Sequence, residues 1–114
     1  MDRDMKAIAD TTDPVLAQIV ARLVAHFAPQ RIYLFGSKAR GDAGADSDYD
    51  LMVVVEPASD AGYRLSQQAG RVLWDIGTAV DVLVWSRDAF DRRLHLRASL
   101  PATIVREGKL LYAA

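Results

Sequence analysis

Apolar residues recur at four-residue spacing through Val15, Ile19, Leu23 and Phe27, which predicts an amphipathic helix. Asp13-Pro14 opens it with a capping carboxylate and a first-turn proline, and Pro29 ends it. The spacing then changes. IYLF is a short apolar strand stopped by Gly36, whereas LMVVV is continuously apolar and β-branched, the mark of a central strand covered on both faces. Pro57 closes that strand. From Ser59 to Ile76 the pattern is helical again, with Tyr63, Ala69, Val72, Leu73 and Ile76 directed toward a core and Gly77 as a C-cap. AVDVLVW is a third strand interrupted by one acid, Asp81. Ser86 caps a basic helix, RDAFDRRLHLRASL, Pro101 starts a shorter helix, PATIVREG, and KLLY adds a final short strand.

The predicted order is α-β-β-α-β-α-α. A helix between the second and third strands is long enough for a right-handed parallel crossover, and the loop between the first and second suits antiparallel neighbours. The fold class is therefore α/β (α+β), a small mixed sheet backed by helices. The 114 residues form one domain, 1–114, with 51% hydrophobic residues to build its core. Fourteen basic residues against fifteen acidic ones leave no global field favouring nucleic acid or an anionic membrane. The absence of cysteine excludes disulfides, thiolate zinc sites and cysteine nucleophiles. MDRDMKAIAD lacks the apolar core of a signal peptide and no run spans a bilayer, so a soluble cytoplasmic protein is expected.

The candidate chemistry lies between Arg31 and Val55, RIYLFGSKARGDAGADSDYDLMVVV. Asp48 and Asp50, at i and i+2 on an extended strand, share one face roughly 6–7 Å apart, with Tyr49 turned to the other. If the second and third strands are parallel neighbours, Asp81 comes close to both. Three such acids repel by roughly 4 kcal/mol per pair at about 4 Å and an effective dielectric near 20, so the cluster requires protonation or cations. Hard oxygen ligands at this spacing suit Mg²⁺ or Mn²⁺. Gly36 permits close backbone approach, Ser37 offers a hydroxyl at the start of a short helical turn, and Arg40 adds a permanent charge; together they suit phosphate. Gly41, Gly44 and Ala45 make the following loop supple enough to return to Asp48.

Gly-Ser, ten residues and Asp-x-Asp resemble the signature of the DNA polymerase β nucleotidyltransferase superfamily. The form FGSKARG…SDYDL is most similar to the minimal nucleotidyltransferase (MNT) family, which in bacteria and archaea are antitoxins of HEPN-domain toxins; the likeness covers about Arg31 to Trp85, and the ending EGKLLY is also typical. The resemblance implies the polymerase β-like nucleotidyltransferase fold and AMP transfer from ATP to a tyrosine hydroxyl of a cognate HEPN toxin, as in type VII-like toxin–antitoxin pairs. It implies that Gly36 and Ser37 hold the β- and γ-phosphates, with Arg40 and Ser47 as further nucleotide contacts. It implies that Asp48 and Asp50 bind two Mg²⁺ ions and that Asp81 completes the metal site and assists deprotonation of the acceptor. Larger relatives carry an extra domain, so a partner protein is expected to supply the missing wall, in a hetero-oligomer with the toxin or a homo-oligomer. Two alternatives stand beside this: an antitoxin that neutralises by binding alone, and an aminoglycoside-like small-molecule adenylyltransferase.

Other polar residues have simpler readings. Asp42, Asp46 and Ser47 shape the turn through local hydrogen bonds. His26 sits near a helix C-terminus, where a cation is favoured, and His95 has no second ligand at useful spacing. Trp74 and Trp85 are expected in the core. Arg87, Arg92, Arg93 and Arg97 form a basic cluster read as a solvated helix face with Asp88–Arg92 support. Asp81, flanked by Val80 and Val82, is expected in a buried strand, where an acid is costly without a partner.

Overall fold

The computed structural model describes residues 7–8, 13–41, 48–56 and 62–114; the side chains at 7, 8, 62 and 63 are outside that description. In chain order the elements are β1 (Ala7–Ile8), α1 (Pro14–Phe27), β2 (Arg31–Phe35), α2 (Ser37–Arg40) and β3 (Tyr49–Val55). They continue as α3 (Gly62–Leu73), β4 (Val80–Ser86), α4 (Arg87–Asp91), α5 (Leu100–Glu107) and β5 (Lys109–Ala113). The sheet order is β1-β5-β2-β3-β4. As the connections predict, β2 and β3 are antiparallel while β3 and β4 are parallel. The sequence pattern missed β1, which is only two residues long, too short for any periodicity.

Side chains alternate across the strands and build a core on each face. One face carries Leu51, Val53, Val82 and Val84 against Ile19 and Leu23 of α1 and Leu73 of α3. The other carries Tyr33, Met52 and Val54 against Phe90 of α4 and Ile104 of α5. Leu51 to Val54 are all fully buried, as the unbroken apolar run predicts. Asp13 caps α1 by accepting from the Val15 and Leu16 N–H groups at 3.0 and 3.2 Å. Val15 and Phe27 lie at the core margin, while Leu16 and Val20 join Ile19 and Leu23 inside it.

Four expectations are corrected. The basic helix predicted from Ser86 ends at Asp91, although Ser86 Oγ does cap it by accepting from Ala89 N–H at 3.1 Å. Beyond Asp91 the chain makes three-residue turns, Leu94 N–H to Asp91 O and Leu96 N–H to Arg93 O, and Ser99 Oγ donates to Arg93 O at 2.7 Å. Ser99 thus competes for a carbonyl that a continuing helix would need, and it caps α5 instead. Trp74 is 81% exposed rather than core, because α3 ends at Leu73 and the chain turns before it can face the sheet; Trp85 does pack on the second core. Asp81 is exposed: β4 is the edge of the sheet, so its acid does not bear the burial penalty the alternating valines suggested. Gly77 has a left-handed φ of 88°, but in the turn after α3 rather than at its C-cap. Pro57 and Ser59 lie outside the described residues.

Candidate active site

The site forms where β2 ends and β3 and β4 begin. Antiparallel pairing sets Phe35 opposite Asp50, so the chain leaving β2 turns directly beside that carboxylate. Parallel pairing sets Asp50 beside Asp81, on strands about 4.8 Å apart with side chains on the same face. Asp48 stands just before β3, exposed. The expected neighbourhood of Asp81 with the Asp-x-Asp pair therefore follows from strand order and register.

Gly36 explains the turn. Its backbone, at φ 77° and ψ −159°, occupies a region essentially restricted to glycine. A Cβ there would stand 2.3 Å from Asp50 Oδ2. The Asp50 carboxylate thus packs against bare backbone, in space that any side chain at 36 would take. Gly36 O accepts from the N–H groups of Ala39 and Arg40, both at 3.1 Å, starting α2 without a side-chain cap. Ser37 is the first residue of that turn, and Gly41 closes it in a left-handed conformation.

Burial, then the charges of Asp81 and Asp48, push the Asp50 carboxyl up, while Arg40 pulls it down. The three acids and Arg40 thus share one electrostatic neighbourhood. Among the described residues, no three His, Cys, Asp or Glu side chains stand close enough together to hold a metal ion. In kind the donor set nevertheless suits a hard dication: carboxylate oxygens only, with a like-charge repulsion at Asp50 that Arg40 offsets in part. Asp48, Asp50 and Asp81 are the residues that would hold it. Ser47, together with Asp42, Gly44, Ala45 and Asp46 of the same loop, lies outside the described residues.

A second network was not foreseen. The Tyr49 hydroxyl donates to Asp13 Oδ2, and the Lys38 ammonium sits 4.5 Å from the centre of the Tyr49 ring. The α1 cap, the central residue of Asp-x-Asp and the Gly-Ser turn are thereby tied together. Asp13 and Tyr49 are 36 positions apart, and no local pattern pairs them. His26 contacts Gln68 at 3.3 Å near the end of α1, in keeping with a structural role.

Residues 17–114 match the family model described as Polymerase beta, Nucleotidyltransferase. The chain is 30% identical over 83 residues to a Methanocaldococcus jannaschii protein named "Putative protein adenylyltransferase MJ0604", covering 73% of this chain and 78% of that protein. A solved structure from Sulfolobus solfataricus has the same fold, with a TM-score of 0.62 and 24% identity over 87% of this chain and 78% of its own. A toxin–antitoxin crystallised with AMP-PNP matches with a TM-score of 0.51 and 25% identity, over 85% of this chain and 73% of the matched one. No helix among the described residues is long and apolar enough to cross a membrane. With the family model spanning nearly all of a chain whose sheet register gathers the acids of its signature, the chain belongs to the polymerase β nucleotidyltransferase family.

Proposed function

We propose that this chain acts as a single nucleotidyltransferase domain that moves AMP from ATP to a protein hydroxyl, a tyrosine of a HEPN-domain toxin, and so serves as that toxin's antitoxin. The observation that carries the reading is the register pairing of Asp50 with Asp81 beside a glycine turn that admits the Asp50 carboxylate. A protein acceptor is supported by the name of the archaeal relative, and a toxin partner by the toxin–antitoxin structure that holds an ATP analogue.

In this reading the Ser37 hydroxyl and the first N–H groups of α2 hold the terminal phosphates, and Arg40 adds positive charge there. Asp81 accepts the proton of the attacking hydroxyl, and Gly36 keeps the phosphate turn against Asp50. Asp48, Asp50 and Asp81 would hold Mg²⁺, which would supply Lewis-acid stabilisation of the negative charge that develops in the transfer. The test is transfer of label from the α-phosphate of ATP to a co-purified HEPN toxin. Label should appear with the native chain and vanish with Asp48→Asn and with Asp50→Asn. Undiminished labelling by both variants overturns the reading, and an unlabelled toxin that is still neutralised makes the chain a binding antitoxin.

A further inference from the structure

The segment from Arg92 to Arg106 carries four arginines, a histidine and no acid, in a chain with fourteen basic residues against fifteen acidic ones. A solvated helix face does not account for it. α4 stops at Asp91, and Asp88 lies 3.9 Å from Arg87 instead of forming the expected pair with Arg92. Among the described residues, the side chains of Arg92 and Arg97 make no ion pair. Between the arginines Leu94, Leu96 and Val105 are exposed, the last two by half. Leu94, His95, Arg97, Ala102, Val105 and Arg106 line an open hollow of about 370 Å³. We infer that this surface docks the acceptor protein, which meets it with acidic side chains around an apolar one seated in the hollow. The inference rests on the proposed AMP transfer and adds how the protein substrate is held.

Three observations carry it. The first is composition. Exposed aliphatic side chains ringed by arginine have the make-up of a protein interface, an apolar centre with a charged rim. A phosphate backbone gains nothing from leucine and valine, and the segment has no Phe, Tyr or Trp for a base to stack on. The second is charge. Cations at Arg92 and Arg97, with no acid of their own segment to answer them, select a partner of opposite sign.

The third is place. Asp50, Met52 and Val54 alternate onto one face of β3, and parallel pairing sets Asp81, Leu83 and Trp85 on the same face of β4. Ile104 of α5 packs on that face with Met52 and Val54. Gly108, which ends α5, abuts β2: a Cβ there would stand 2.6 Å from Leu34 O, two residues before Gly36. The docking surface therefore belongs to the side of the sheet that bears the acids. Its α5 part ends beside the strand that leads into the Gly-Ser turn.

The probe is the HEPN toxin, purified apart from the chain and titrated against native and variant proteins. Kd, and KM and kcat for AMP transfer, are the readouts. Reversing both free cations, Arg92→Glu with Arg97→Glu, should raise Kd and KM at least roughly tenfold while kcat at saturating toxin holds. Val105→Gln, which suits an exposed helix, should weaken binding about threefold or more, and Arg97→Lys by less than about twofold. Added salt should weaken native binding more than that of the doubly reversed chain. Unchanged thermal melts confirm that these exposed positions leave the fold intact. Toxin affinity unmoved by the double reversal and by Val105→Gln overturns the inference. So does a reversal that releases an oligouridylate, or splits a dimer of this chain, while the toxin binds as before. The surface then serves RNA or a second copy. Toxin that binds and responds to the variants but takes no label defeats the AMP transfer and leaves the docking standing. A native chain that neither binds nor labels the toxin defeats both.

Discussion

Tyr49 and Asp50 are consecutive in β3 and point to opposite faces of the same sheet. On the Tyr49 face the groups around the ring have partners: the hydroxyl donates to Asp13, the ring lies beneath Lys38, and Asp13 also caps α1. On the Asp50 face the carboxylate meets burial and two like charges that Arg40 offsets only in part, against a glycine in a conformation no other residue favours. One face fastens the strand to the rest of the fold. The other holds groups in an arrangement that costs stability until a ligand answers it, as functional sites do.

Removing the Asp50 charge breaks this contrast most sharply. Asp50→Asn should lower AMP transfer by on the order of 10³-fold, the loss of several kcal/mol of charge stabilisation. The same variant should melt higher than the native chain in metal-free buffer at neutral pH, because it removes repulsion and the cost of a half-buried charge. The sign follows from linkage. A carboxyl raised above its unfolded value of 3.8 binds its proton more tightly in the native state, so stability falls as pH rises from there through the raised value. Thermal melts in EDTA across that window should show the fall in the native chain and not in Asp50→Asn. A native chain that melts higher than the variant without metal would refute the idea of a repulsive site.

Gly36→Ala ranks next. The left-handed φ and the 2.3 Å approach to Asp50 Oδ2 both oppose it. Together they should cost about 2–4 kcal/mol, read by chemical denaturation. In an Asp50→Ala background the steric part disappears, so the two losses should be less than additive. Strict additivity would mean that the cost is backbone strain alone.

The fold was legible where periodicity and connection length suffice. Four-residue spacing found α1, the apolar run at Leu51 to Val54 found the central strand, and connection lengths ordered β2, β3 and β4. The gathering of Asp48, Asp50 and Asp81 was legible for the same reason, since parallel register alone joins Asp50 to Asp81. Trp74 was misread because hydrophobicity says nothing about where a helix stops. The exposure of Asp81 was missed because its flanking valines do not reveal that β4 is an edge strand. The Asp13–Tyr49–Lys38 network depends on packing between α1, α2 and β3, which no linear spacing encodes.

The fastened face should answer pH with the opposite slope in acid, and this is the smallest and most discriminating effect. The hydrogen bond from Tyr49, outweighing burial, holds the Asp13 carboxyl below its ordinary value. A lowered carboxyl contributes stability above its unfolded value of 3.8 and loses it as pH falls from there through the folded one, whereas Asp50 gains its stability on the descent from its raised value to 3.8. As pH falls the native stability therefore first rises and then declines, and single variants separate the two stages. Asp13→Ala removes the helix cap and the Tyr49 acceptor, a loss of about 2 kcal/mol at neutral pH, and leaves the Asp50 limb alone. Tyr49→Phe removes only the hydroxyl, for about 1 kcal/mol. It should also erase an alkaline limb, because burial and then Asp13 push the Tyr49 hydroxyl from 10.0 up to about 12, so native stability falls as pH rises between those values. Urea midpoints that decline equally in Tyr49→Phe and in the native chain over that range would show that the Tyr49–Asp13 bond does not fasten this face.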